Sequence, residues 1–346
     1  MRGCRSLGCN LRDLATPHPV ELSDFNGQRV AVDAFLLAYQ FITSLRKRGE
    51  GADGGPLTDS NGHPVSHLMG FLDRATVMIE SGIDPVFVFD GRPHELKMET
   101  LSSRKSRKDD AREKWDRAVA DEDWTTAQKL GSQIVSYTRE MVAETRAMLD
   151  LLGIVNIEAP MEAEGAAAVR CARGDVDAVS SQDWDTLLYG APVMVRNLSS
   201  HGTRRFGRIV HAERIVLAEL LDENGLTYEQ LVDLGIMVGT DFHPGIKGIG
   251  PKTGLKLIRE FGTIEDVCAA KDKEIPERLE EIREIFLNHP ASDEPLPQQR
   301  MCDEEGLREM LVDGHDFSER RIGRALNRME AAGRLRSGGQ TSLFDF

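Results

Sequence analysis

The sequence has no long apolar run. No stretch of about 18 hydrophobic residues occurs in its 346 residues, so no membrane-spanning helix is expected. The opening "MRGCRSLGCN" lacks the apolar core of a secretory signal. Cysteine is sparse. Cys4, Cys9, Cys171, Cys268 and Cys302 form neither a CxxC pair nor a zinc spacing, so they read as reduced, incidental thiols of a cytoplasmic chain. No strand leads into G-x-x-x-x-G-K-[ST], which argues against a nucleotide cradle. Positive charge is also short, and the net charge is −14. Phosphates must be met by Lys and Arg, so the deficit argues mildly against a nucleic-acid binder. It does not exclude one, because binding depends on where the basic residues sit. An acidic, arginine-biased surface also fits salt adaptation or genomic base composition.

What is present fits an ordered globular protein, with 40% hydrophobic and 29% charged residues. Five short apolar runs read as buried parallel strands: "RVAVDAF" (29–35), "PVFVFDG" (85–91), "VNIEAP" (155–160), "DAVSS" (177–181) and "PVMVRN" (192–197). Helical patterns separate them, as at 66–82 and 137–153, each closing on a glycine. The alternation predicts an α/β fold with a twisted, mostly parallel sheet flanked by helices. Residues 92–136 break that rhythm. They are polar, helix-prone and too poor in apolar residues for a core of their own. They read either as a solvated pair of surface helices or as an insertion that handles a polyanion. The basic residues of the first half, Arg92, Lys97, Arg104, Lys105, Arg107 and Lys108, suit the second. Residues 226–290 read as helical, and the chain ends in a Gly/Ser-containing linker and a short apolar motif.

Acidic residues collect where such a sheet builds sites, beyond the carboxyl ends of its strands. Asp33 and Asp90 close the first two strands, and Asp183 and Asp185 follow "DAVSS". Glu162 and Glu164 open the helix after "VNIEAP", where the helix dipole favours negative charge. Asp241 follows the helical run "EQLVDLGIMVG". Any one of these is also explained as an N-cap or a surface charge. Seven together point to hard divalent cations, which take oxygen ligands. Two such ions about 4 Å apart clamp the attacking and leaving oxygens of a phosphodiester. The stretch "HPGIKGIGPKTGLKLIREFG" (243–262) sets Gly245, Gly248 and Gly250 between helical segments and adds Lys247, Lys252 and Lys256. A tight helix–helix turn would explain the glycines alone. With the lysines it fits a helix-hairpin-helix grip on the backbone of duplex DNA, reading phosphates and not sequence.

The motifs "VDAF…YQF", "PVFVFDGRPHELK", "EAPMEAEGAAA", "SSQDWDTLLYGAP", "GTDFHPGIKGIGPKTGLKLI" and "HDFSERRI" run in order along nearly the whole chain. In them the sequence resembles the flap endonuclease family in its archaeal form. The resemblance implies a structure-specific 5′ flap endonuclease with 5′–3′ exonuclease activity, acting in replication and repair. It implies two Mg²⁺ ions per subunit on the seven carboxylates. Lys97 and Arg104 match the family's active-site bases, which stabilise charge on the scissile phosphate. Tyr39, one helical turn beyond Phe35, would read as core from its spacing; the resemblance makes it a residue that stacks on a terminal base. Residues 92–136 match the helical arch that admits single-stranded flaps, and ordering on binding is expected there.

By the same resemblance, residues 1–330 form one nuclease domain. It comprises an N-terminal region (about 8–105), the arch (about 92–136) and an internal region (about 137–265) with the hairpin. The tail 331–346 ends in "QTSLFDF", which resembles a sliding-clamp docking box with Gln340, Leu343 and Phe346 as anchors. The box has one terminal aromatic where the usual form has two. The expected partners are flapped or nicked duplex DNA and the clamp; the expected state is a monomer. The family's Met-Gly start fits "LGCNLRDL" from Leu7, so Leu7 is expected to be the true start, with Gly8 near the active site. The rival readings are a sibling 5′ exonuclease or bubble-cutting repair nuclease, and a non-catalytic, clamp-tethered DNA-binding protein.

Overall fold

The computed structural model describes residues 9–205 and 207–335. Its main sheet has seven strands: β1 (His18–Val20), β2 (Arg29–Asp33), β3 (Asp84–Phe89), β4 (Asn156–Glu158), β5 (Ala178–Ser180), β6 (Val193–Arg196) and β9 (Ala212–Val216). A small hairpin, β7 (Arg204–Arg205) and β8 (Arg208–Ile209), stands apart. The order is β1-β9-β6-β5-β2-β3-β4. The five strands expected from the apolar runs are mutually parallel; β9 pairs antiparallel with β6 and β1 antiparallel with β9. The sequence reading missed these two strands, the edge strand β1 and its neighbour β9. β1 is only "HPV" and carries a proline, and β9, "AERIV", sets Glu213 and Arg214 side by side and so shows neither an apolar run nor an alternation.

The helices are α1 (Ala34–Ser44), α2 (Ser66–Glu80), α3 (Met98–Ala120), α4 (Trp124–Leu130), α5 (Arg139–Leu151), α6 (Ala163–Arg173) and α7 (Asp185–Leu188). They continue as α8 (Leu217–Asn224), α9 (Tyr228–Val238), α10 (Pro251–Phe261), α11 (Ile264–Lys271), α12 (Leu279–Leu287), α13 (Glu304–Arg308) and α14 (Glu319–Ala331). The period-two geometry of strands divides the apolar residues between two faces. Ala31, Val86, Val88, Val179 and Met194 join the core built with α6, α7, α9 and α12. Val30, Val32, Phe87, Phe89 and Ala178 join the core built with α1, α2, α5 and α14. Burial on both sides is why β2 and β3 read as unbroken apolar runs. Close packing is demanding on the second face: a Cβ on Gly70 would lie 2.0 Å from the Phe41 ring, so α1 and α2 meet there only over glycine. Among the described residues no helix is long and apolar enough to cross a membrane.

β2 pairs with β3 on one side and β5 on the other, so the chain reverses direction across the sheet at β2. The crevice outside the carboxyl ends at such a reversal is where open α/β sheets bind ligands. Residues 98–130 form two helices, α3 and α4, and α3 buries only Ala111 and Ala118. Backbone carbonyls anchor this pair to the 45–56 loop. Trp115 Nε1 donates to the Asp53 carbonyl at 2.8 Å. Arg46 donates to the carbonyls of Thr43 at 2.7 Å, Gly54 at 3.2 Å and Gln128 at 3.0 Å.

Candidate active site

All seven acids lie at the carboxyl edge of the sheet, placed there by several different elements. Asp33 ends β2 and caps α1, accepting the Leu36 N–H at 3.0 Å, which satisfies one of the helix's free donors. Asp90 follows β3 and accepts the Ala163 N–H, the first of α6, at 2.8 Å. Glu162 is the N-cap residue of α6, and Glu164 lies in its first turn. Ser181 donates one hydrogen bond to Glu164 at 3.4 Å, and its Oγ receives the Asp183 N–H at 3.1 Å. Asp183 accepts the Asp185 N–H at 3.1 Å, and Asp185 accepts the Cys9 N–H at 2.8 Å. Asp241 sits in the turn beyond α9.

Burial and mutual repulsion join these groups into one electrostatic network. Burial first, then Asp33 and Glu162, push Asp90 up to about 7. Burial, Asp241 and Asp33 push Asp183 up to about 6, against the Asp185 N–H. Glu164 is raised well above its ordinary value by burial and by Asp183, Asp33 and Asp185. Asp185 is raised by burial, Asp183 and Asp241. Asp33 is raised by burial, although the Leu36 N–H opposes it.

Two cations answer this charge, and both come from the foot of the 92–136 insertion. Lys97 Nζ touches Glu162 and lies 3.3 Å from Asp241. Burial works against its ammonium, but Glu162 and Asp241 more than offset that and raise it. Arg104 Nη2 lies 2.5 Å from Asp241 Oδ1, and Thr100 Oγ1 donates to the Asp241 carbonyl at 2.9 Å. Lys97, Thr100 and Arg104 stand at i, i+3 and i+7, so one face of the helical foot addresses one acid. Arg104 Nε is buried without a hydrogen-bond partner.

The donor set suits a divalent cation. It is entirely carboxylate oxygen, which favours Mg²⁺ or Mn²⁺ over thiolate-seeking metals. Seven carboxyl groups against the two ion-paired cations Lys97 and Arg104 leave room for added positive charge. Among the described residues no group of three His, Cys, Asp or Glu side chains is drawn around one point in ion-holding geometry.

The remaining sequence candidates fall as follows. Tyr39 is 41% exposed on α1 and is not core; Phe35, one turn earlier, packs edge-on against Tyr137 at 5.2 Å. Lys247, Lys252 and Lys256 surround the loop between α9 and α10, and Lys252 lies 3.3 Å from Asp13. Gly245 has φ +84°, and a Cβ there would stand 2.5 Å from the Val238 carbonyl, so the turn requires glycine. Gly248 has φ +91°, and Gly250 precedes Pro251 at the start of α10. A cleft of about 1150 Å³ separates this loop from the foot of α3, lined by Thr100, Ser103, Arg107, Asp241 and Lys247 among others. Leu7, Gly8, Gln340, Leu343 and Phe346 lie outside the described residues.

Sequence reasoning missed three contributors. Ser181 stood beside the Asp183/Asp185 pair and was within reach of the argument. Thr100 carries no signal in a polar helix. Cys9 acts through its backbone N–H, 176 residues away from Asp185, and no side-chain pattern encodes that.

Family comparisons agree with this geometry. Residues 2–111 match the XPG N-terminal domain and residues 153–241 the XPG I-region. Flap endonuclease 1 of Methanopyrus kandleri is 41% identical over 348 residues, covering 97% of this chain and 98% of that protein. Flap endonuclease 1 of Aeropyrum pernix is 39% identical, with 98% and 99% covered. Among solved structures, flap endonuclease-1 from Methanococcus jannaschii superposes with a TM-score of 0.74 at 34% identity, covering 94% of this chain and 99% of that one. The catalytic core of Rad2 in complex with DNA substrate shares the fold, with a TM-score of 0.71 at 24% identity over 92% of this chain and 99% of that one. With carboxylates from five separate segments meeting at one sheet edge, and relatives at about 40% identity along nearly its full length, this chain belongs to the flap endonuclease 1 family.

Proposed function

We propose that the protein is a structure-specific 5′ flap endonuclease with 5′–3′ exonuclease activity, cutting DNA flaps in replication and repair by two-metal hydrolysis. The observation that carries the reading is the single network of Asp33, Asp90, Glu162, Glu164, Asp183, Asp185 and Asp241, with Lys97 and Arg104 in ion-pair contact with it. These seven carboxylates would hold two Mg²⁺ ions. Bound divalent cations supply Lewis acidity, lowering the pKa of water and offsetting charge on the phosphate.

The chain's own groups do the rest. Lys97 and Arg104 approach from the insertion foot and meet the non-bridging oxygens of the scissile phosphate as its charge grows. The unpartnered Nε of Arg104 is a donor suited to such an oxygen. The loop around Gly245, Gly248 and Gly250, with Lys247, Lys252 and Lys256, grips duplex phosphates and so sets distance without reading bases. Tyr39, exposed on α1, offers a ring face to a terminal base. The helices of 92–136 form the arch that selects a free 5′ end. Gln340, Leu343 and Phe346 dock the tail on a sliding clamp.

The test is a labelled double-flap duplex incubated with Mg²⁺ and with chelator. Cleavage at the flap base with Mg²⁺ alone is expected. Cleavage that persists in chelator refutes the metal reading. Asp185→Asn should abolish cutting and leave duplex affinity intact.

A further inference from the structure

The turn that carries Asp183 and Asp185 is under electrostatic load, since both groups face other carboxylates of the network. Between them stands Trp184, 5% exposed and packed in the core with Leu187 and Leu188. Its indole anchors the turn in that core, between the two acids. Arg196 lies over the ring. The guanidinium carbon lies 4.7 Å from the centre of the Trp184 ring.

The sheet register explains the reach. β5 and β6 are parallel with Ser180 opposite Val195, so Arg196 is level with Ser181, where the turn begins. Arg196 has little else to hold. Its Nε and Nη1 are buried without a hydrogen-bond partner, and the carboxylate it pairs with, Glu213, is 3.8 Å away. A largely desolvated guanidinium whose nearest carboxylate is this distant makes the stronger kind of cation–π contact. Asp183 also lies within its field.

We propose that Arg196 is a positioning residue that acts through the indole of Trp184 to hold Asp183 and Asp185 together for divalent-cation binding. The inference rests on the carboxylates being the metal site, as proposed above. Outer partners of metal ligands typically contribute 10–100-fold to metal affinity.

The experiment is Mn²⁺ binding to the full-length, DNA-free protein, followed by calorimetry and by the spin-resonance signal of free Mn²⁺. Arg196→Met should weaken Mn²⁺ by about tenfold, with an unchanged melting temperature in chelator, and Arg196→Lys should restore affinity to within about threefold. Trp184→Leu should match Arg196→Met, and the double variant should be no weaker than either alone. Unchanged affinity in Arg196→Met, or losses that multiply in the double variant, overturns the proposal. Should Arg196→Met fail to fold, Trp184→Phe carries the test: a smaller ring face should weaken Mn²⁺ by about twofold or more, and wild-type affinity overturns the proposal. Wild-type protein that binds no Mn²⁺ refutes the metal site itself. Wild-type binding with unaltered variants refutes only the role of Arg196.

Discussion

Replacing Asp90 with asparagine should make the metal-free protein more stable. The carboxyl of Asp90 is pushed from an ordinary 3.8 to about 7 by burial and by Asp33 and Glu162. Below about pH 3.8 the folded and unfolded chains both hold the proton, and the group is neutral in its effect. Between the two values the folded protein keeps a proton that the unfolded chain has lost, so stability falls as pH rises. Above about 7 the full penalty applies. At 1.36 kcal/mol per pH unit the ceiling is about 4 kcal/mol. The asparagine amide would keep an oxygen for the Ala163 N–H and carry no charge. For a chain of this length about 1 kcal/mol moves the melting temperature by about 1.5 °C. Asp90→Asn should therefore melt up to about 6 °C above wild type at pH 8 in chelator, and only about 2 °C above it at pH 5. Adding Ca²⁺ should raise the wild type more than the variant and close the gap. Thermal scans at both pH values, with chelator and with Ca²⁺, decide the matter. An Asp90→Asn protein no more stable than wild type at pH 8 would mean that burial and the neighbouring carboxylates do not raise the Asp90 carboxyl.

Lys97→Met removes the ammonium between Glu162 and Asp241; single-turnover cutting should fall by about 10²–10³, with duplex affinity within about twofold. Gly245→Ala places a Cβ against the Val238 carbonyl at φ +84°. That should cost about 1–2 kcal/mol, seen as a lower melting temperature, and weaken duplex binding. Lys247→Ala should reduce the slope of log K against log salt by about 0.9 in a binding titration and leave the cleavage position unchanged.

The central sheet was legible because strands buried on both faces leave apolar runs of the right length, and those at 29–33 and 84–89 did so. β1 and β9 were not, since a three-residue edge strand with a proline leaves too little pattern. The acids were found by position: a parallel sheet brings all its carboxyl ends to one edge, so Asp33, Asp90 and Asp183 had to be neighbours once the strands were assigned. Contacts that depend on the backbone escaped. The Cys9 N–H on Asp185 and the Asp241 carbonyl under Thr100 involve main-chain groups that carry no side-chain signature. Tyr39 shows the limit of periodicity, because a spacing of four from Phe35 places two residues near one stripe but does not say where the stripe meets solvent.

Arg46 spans three stretches of backbone with one planar fork, reaching Thr43, Gly54 and Gln128. One side chain thus ties the end of α1, the 45–56 loop and α4 together at the rim beside the insertion. The helix anchored in this way, α1, is the one that Asp33 caps, so the rim beside the insertion and the carboxylate cluster share one helix.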